Sequence, residues 1–138
     1  MLCATFFFLL PIATENMGRT FYTCIEAYKG GQNMHLTSYL QDSQLTVALT
    51  GEIDHHCAKA YIDTIIGKIE AYKPRICVLD FQDVTFMDSS GIAVVINTLR
   101  NMTRIKGKLC LVGIREQPMR VFAASGIDKL VEIKEVAV

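Results

Sequence analysis

No net charge remains once the 14 lysines and arginines are set against the 14 aspartates and glutamates. A chain without an excess of either sign has no electrostatic footprint for nucleic acid or an anionic membrane. No apolar run reaches the roughly 20 residues that a membrane-spanning helix needs. The longest, Met1 to Ile12, stops well short and lacks the basic start and A-x-A site of a signal peptide. Paired cysteines are missing too. Cys3, Cys24, Cys57, Cys77 and Cys110 are odd in number and none are spaced as CxxC. That pattern points to free thiols in a reducing compartment and against a zinc site. Neither G-x-G-x-x-G nor G-x-x-x-x-G-K-[ST] occurs, so nucleotide binding has no motif behind it and no cofactor is expected. The G-x-S-x-G elbow of a serine hydrolase is also missing.

What is present is enough for one core. Half of the 138 residues are apolar and a fifth are charged, the composition of a single globular domain. From Met34 onward the pattern is regular. "MHLTSYLQ" and "QLTVALTGEID" flank the turn-like "QDSQ". Leu45, Val47 and Leu49 alternate with Thr46, Ala48 and Thr50, as in a β-hairpin. Asp54 is a good helix cap. After it, Ala58, Tyr61, Ile62, Ile65, Ile66 and Ile69 follow helical spacing up to Lys73-Pro74.

"RICVLDF" reads as a buried parallel strand over Ile76–Leu79. A helix through "GIAVVINTLRNMTRIKG" follows, with Gly107 as its stop. Next come the strand "KLCLVG", a short helix "REQPMRVFAAS" closed by Gly126, and a last strand over Leu130–Ile133. The order β-β-α-β-α-β-α-β predicts an α/β fold. It would be a mixed, mostly parallel sheet of four to five strands with helices packed on it. Sites on such sheets lie outside the carboxyl ends of the strands. Asp54, Asp88 and the loop from Gly113 to Glu116 are all placed on that edge.

The first third differs. "RTFYTCIEAYKGGQN" has no sustained period. One permitted coding of Lys29–Met34, AAA-GGA-GGA-CAA-AAC-ATG, holds the purine-rich AGGAGG of a bacterial ribosome-binding site just before an ATG. Residues 1–33 are therefore expected to be a non-native leader or a flexible extension, with the domain at 34–138.

The chemistry concentrates in "VTFMDSSGIAVVINTL", Val84 to Leu99. Asp88 can cap the helix, and the serines can simply be tolerated at its start. The sharper alternative is a switch. A phosphate on Ser89 would carry about −1.5 to −2 charge at pH 7. Helix amides would tolerate it, whereas Asp88 and Asp54 would repel it. His55, His56 and Cys57 are expected to fail as metal ligands, because neighbours on a helix face different ways.

"LTGEIDHH" and "VTFMDSSGIAVV", in this order and spacing, resemble the anti-sigma factor antagonists, which are single STAS domains. The sporulation-type, anti-sigma-F branch carries the same "GE-x-DHH" and "FMDSSG" elements. "ASGIDKLVEI" resembles the family's C-terminal segment. The family pattern does not include the first 33 residues, and it continues into a further helix where "KEVAV" ends this chain. The resemblance implies a cytoplasmic regulator of sporulation transcription that is not an enzyme. Unphosphorylated, it would bind an anti-sigma factor and release the sigma factor held there. That partner, a serine kinase, would phosphorylate Ser89 and so inactivate the antagonist, and a serine phosphatase would restore it. Asp54, Asp88, Ser90 and Gly91 are the further residues expected at the partner surface, with Gly91 keeping the approach to Ser89 open. No direct contact with nucleic acid or membrane is implied. The alternatives keep the fold but serve a general-stress sigma circuit or a larger signalling complex. An enzyme acting through Ser89 or Ser90 is a third alternative.

Overall fold

The computed structural model describes residues 12–16, 19–29 and 32–134. Seven described strands lie side by side in chain order in one sheet. They are β1 (Ile12–Asn16), β2 (Arg19–Lys29), β3 (Gln32–Gln41), β4 (Gln44–Ile53), β5 (Ile76–Met87), β6 (Lys108–Val112) and β7 (Glu132–Lys134). Strands β1 to β4 pair antiparallel and β4 to β7 pair parallel. The helices are α1 (Ala58–Tyr72), α2 (Ser89–Arg104) and α3 (Glu116–Ser125). From Gln32 onward this is the mixed α/β sheet that the sequence predicts. Two additional strands, β1 and β2, extend it at the β3 edge, where no sequence period signalled a strand. Residues 1–11, with Cys3 and most of the Met1–Ile12 run, lie outside the described residues, as do residues 135–138. No described helix is long and apolar enough to cross a membrane.

The β3–β4 hairpin closes through Asp42 and Ser43, both at positive φ (51° and 63°). Two left-handed residues make the two-residue turn whose twist matches the strands it joins. The Ser43 carbonyl accepts bonds from Arg75 N (2.8 Å) and Ile76 N (3.3 Å), so the turn also fixes the start of β5. Leu45, Val47 and Leu49 are essentially inaccessible, as their alternation predicts.

Strand β5 is longer than the expected Ile76–Leu79. Against β4 its register shifts twice, between the pairs Ala48↔Asp80 and Thr50↔Asp83, and again between Gly51↔Val84 and Glu52↔Phe86. Each shift puts an extra β5 residue opposite β4, as in a β-bulge. Buried positions therefore run Leu79, Phe81, Val84, Met87 instead of every second residue. The broken alternation hid the second half of the strand. Phe81 meets Phe122 of α3 edge to face, with ring centroids 5.5 Å apart.

Helix α1 buries Tyr61, Ile65 and Ile69 and ends at Lys73 in the left-handed conformation (φ 46°) before Pro74. Helix α2 buries Val94, Val95, Thr98 and Met102. Its end differs from expectation, because Lys106 and not Gly107 takes positive φ (62°). Gly107 is required for proximity: a Cβ there would press on Met102 Cε and on the Arg75 and Pro74 carbonyl oxygens. Gly126 does close α3 at φ 79°. The last strand begins at Glu132 instead of Leu130. The residues before it form a short 3₁₀ turn, and Leu130 is 68% exposed.

Candidate functional site

Parallel pairing brings the ends of β4 and β5 together, with Ile53 opposite Met87. Asp88 N donates to the Ile53 carbonyl at 3.2 Å, so the residues that follow each strand, Asp54 and Asp88, stand side by side on the carboxyl edge.

Asp88 caps α2 as the sequence predicts. Its backbone is extended and its Oδ1 accepts from Ser90 N at 2.7 Å, while Gly91 N donates to its carbonyl at 3.0 Å. The first helical residue is Ser89, which is exposed. Its hydroxyl takes no part in a hydrogen bond with a described residue. Ser90 is half-buried and contributes its amide, not its hydroxyl, to the cap.

Gly91 is buried on α2, and the structure gives it a constraint other than an open approach to Ser89. A Cβ at Gly91 would overlap Cγ and Sδ of Met87, whose side chain is wholly buried. The glycine lets the first turn of α2 lie directly on the end of β5.

Asp54 does not cap a helix directly. Its Oδ1 accepts from His56 N (2.9 Å) and Cys57 N (3.2 Å), closing a turn, and α1 begins only at Ala58. Partial burial pushes the Asp54 carboxyl up, but these amides outweigh it and hold the group below the usual aspartate value. His55 and His56 lie in this turn and not on the helix as predicted. Both are exposed, with ring centroids 3.9 Å apart. No group of three metal-ligating side chains occurs among the described residues. Cys57 is buried in the turn, its thiol directed at the Glu52 carbonyl (3.4 Å) and the Asp54 carbonyl (3.6 Å). Burial raises the Cys57 thiol and pushes Cys77 up to about 12, so both remain protonated and inert at neutral pH. Cys57, Cys77 and Cys110 are free thiols.

Two side chains that sequence analysis did not single out complete the edge. Strand β6 ends opposite Asp80, leaving the last residues of β5 without a β6 partner. Gln117 Oε1 accepts from Met87 N and Gln117 Nε2 donates to Met87 O, each at 2.8 Å. Arg115 Nε donates to the Gln82 carbonyl at 2.6 Å. The start of α3 thus supplies bonds where the sheet stops. No local signal marks these residues, because Gln117 and Met87 are 30 positions apart.

Residues 35–137 match the family model for the STAS domain. The anti-sigma-B factor antagonist of Bacillus subtilis is 26% identical over 102 residues, covering 73% of this chain and 91% of that protein. The anti-sigma-B factor antagonist of Listeria monocytogenes is 25% identical over 95 residues, covering 67% of this chain and 80% of that protein. Among solved structures, the anti-sigma factor antagonist SpoIIAA in its unphosphorylated form superposes with a TM-score of 0.62. It is 24% identical and the match covers 68% of this chain and 80% of that one. With a family model spanning most of its length, the chain belongs to the STAS-domain family.

Proposed function

We propose that this chain is an anti-sigma factor antagonist of the cytoplasm, switched by phosphorylation of Ser89. In the unphosphorylated form the carboxyl edge binds an anti-sigma factor and frees the sigma factor held by it. The anti-sigma factor is itself a serine kinase. It transfers phosphate from ATP to Ser89, and a separate serine phosphatase removes it. The chain is ligand and substrate in this cycle, not an enzyme, and residues 34–138 are its working unit.

One observation carries this reading. The capping of α2 is done by Asp88 and the Ser90 amide, so the exposed Ser89 hydroxyl is left with no structural task. A phosphate there sits at a helix N-terminus, where free amides and the dipole accept negative charge. The fold survives while the edge beside Asp54 and Asp88 becomes strongly anionic. A partner that docks on this edge then faces two carboxylates and a phosphate together, and like charges across an interface cost affinity.

The "GE-x-DHH" and "FMDSSG" elements favour a sporulation circuit. A general-stress circuit is the second reading, favoured by the anti-sigma-B names of the curated relatives. Binding tests the function. Pull-down of the cognate anti-sigma factor is expected with ADP and is expected to be lost with ATP. Ser89→Asp should bind more weakly than the unmodified chain. Retention with ATP, with Ser89 phosphorylated, would defeat the switch. The identity of the sigma factor released in the ADP reaction separates the two circuits.

A further inference from the structure

Met87 is fixed from three sides. Its wholly buried side chain lies under Gly91. Both its backbone polar groups are held by the Gln117 carboxamide, at 2.8 Å each. The amide after it, Asp88 N, is tied to Ile53 O. Two residues further along the chain is Ser89, exposed and without a side-chain bond to a described residue. A free hydroxyl gains its orientation only from the backbone that carries it, and that backbone is anchored at Met87.

Gln117 is chemically suited to the grip. A carboxamide carries an acceptor and a donor on one rigid plane, as a strand neighbour does. It serves Met87 beyond the point where β6 ends. A carboxylate could receive the Met87 N–H but could not donate to its carbonyl, and asparagine is one methylene too short.

Resting on Ser89 as the phosphoacceptor, we infer that Gln117 is a positioning residue. By gripping Met87 it sets where α2 begins, and so where the Ser89 hydroxyl is presented to the kinase. Helix α3 becomes part of the switch without touching the reacting atoms. In the transfer, Ser89 Oγ bonds to the γ-phosphorus of ATP as the bond from that phosphorus to the β,γ-bridging oxygen breaks. ADP leaves, and the hydroxyl proton passes to a base of the kinase. Gln117 supplies neither proton nor charge. Its contribution is geometric, and a displacement of about 1 Å from attack geometry can cost on the order of 10²-fold in rate.

The test is steady-state phosphorylation of the full chain by its cognate serine-kinase anti-sigma factor, with ATP. Gln117→Met keeps the volume and removes both bonds, whereas Gln117→Glu keeps the acceptor alone. Circular dichroism at the assay temperature establishes that each is folded. Gln117→Met is expected to lower kcat at least about tenfold with KM nearly unchanged, and Gln117→Glu to fall between it and the unmodified chain. Amide exchange at Met87, whose N–H Gln117 receives, and at Ser90 should quicken in the same order. A folded Gln117→Met with unaltered kcat overturns the inference. Should Gln117→Met not fold, Gln117→Glu decides by the same criterion. If the unmodified chain takes no phosphate on Ser89, the phosphoacceptor assignment fails. Exchange then still decides the grip: unaltered rates in the variants would refute it.

Discussion

Asp54 and Asp88 end neighbouring strands on the same edge, yet they begin their helices differently. At Asp88 the carboxylate takes the Ser90 amide and α2 starts with the next residue. At Asp54 the carboxylate takes the His56 and Cys57 amides, a turn closes, and α1 waits until Ala58. The residues that follow decide the outcome. Gly91 lets α2 press onto Met87 at once. After Asp54, two exposed imidazoles and a thiol folded back on Glu52 and Asp54 fill the space before the helix. One edge thus carries a rigid helix tip with a free hydroxyl beside a polar turn. On the proposed reading, the bonds that hold Asp88 make Ser89 a defined target, and the turn at Asp54 adds a second negative charge next to it.

The largest effect is expected from overfilling the close contact behind Ser89. Gly91→Ala forces Met87 out of its buried site and should cost about 1–3 kcal/mol in urea unfolding, as overpacking does. An unchanged midpoint would mean that α2 does not rest on Met87. Next is the cap itself. Asp88→Ala should cost about 1 kcal/mol, and Asp88→Asn much less, since the amide oxygen can still receive Ser90 N. Equal losses for the two would show that the cap is not what starts α2.

The glycine of the other helix should behave in the opposite way. At Gly67 of α1 a Cβ would enter open space, with no atom within 4 Å. Gly67→Ala should therefore raise stability by about 0.5–1 kcal/mol, through helix propensity alone. A loss would contradict the contrast between the two helices. The smallest effect lies at Asp54. Its carboxyl is held below the usual value in the folded chain, so it stabilises the fold above the unfolded pKa, and that contribution is lost as pH falls through the folded one. Asp54→Asn keeps an acceptor for His56 and Cys57 but cannot titrate. Its thermal midpoint should fall less than that of the unmodified chain on acidification through the carboxylate range. Parallel curves would remove Asp54 from the account.

Much of this was legible in the sequence where a single period operates. Leu45, Val47 and Leu49 in the strand and Tyr61, Ile65 and Ile69 in the helix are buried as their spacing predicts, although Thr46 on the other strand face is buried too. The chain order then placed both aspartates on the carboxyl edge. What failed to show were features set by distant partners or by broken periods. The two register shifts in β5 erased its alternation after Phe81. Asp54 has the composition of a helix cap, and only the turn over Cys57 shows that α1 starts later. Gly107 looked like a left-handed stop, yet Pro74 and Arg75, far back in the chain, set its size. Gln117, on α3, carries no local mark because its partner Met87 lies 30 positions back on β5.

The most direct measurement is the site of phosphate, mapped by mass spectrometry after incubation with ATP and the cognate serine-kinase anti-sigma factor. One phosphate is predicted, on Ser89. Ser89→Ala should take none, and its stability should stay within about 0.5 kcal/mol of the unmodified chain, since the lost hydroxyl is exposed and bonds to no described residue. Phosphate on Ser90 or elsewhere, or full phosphorylation of Ser89→Ala, would contradict the account.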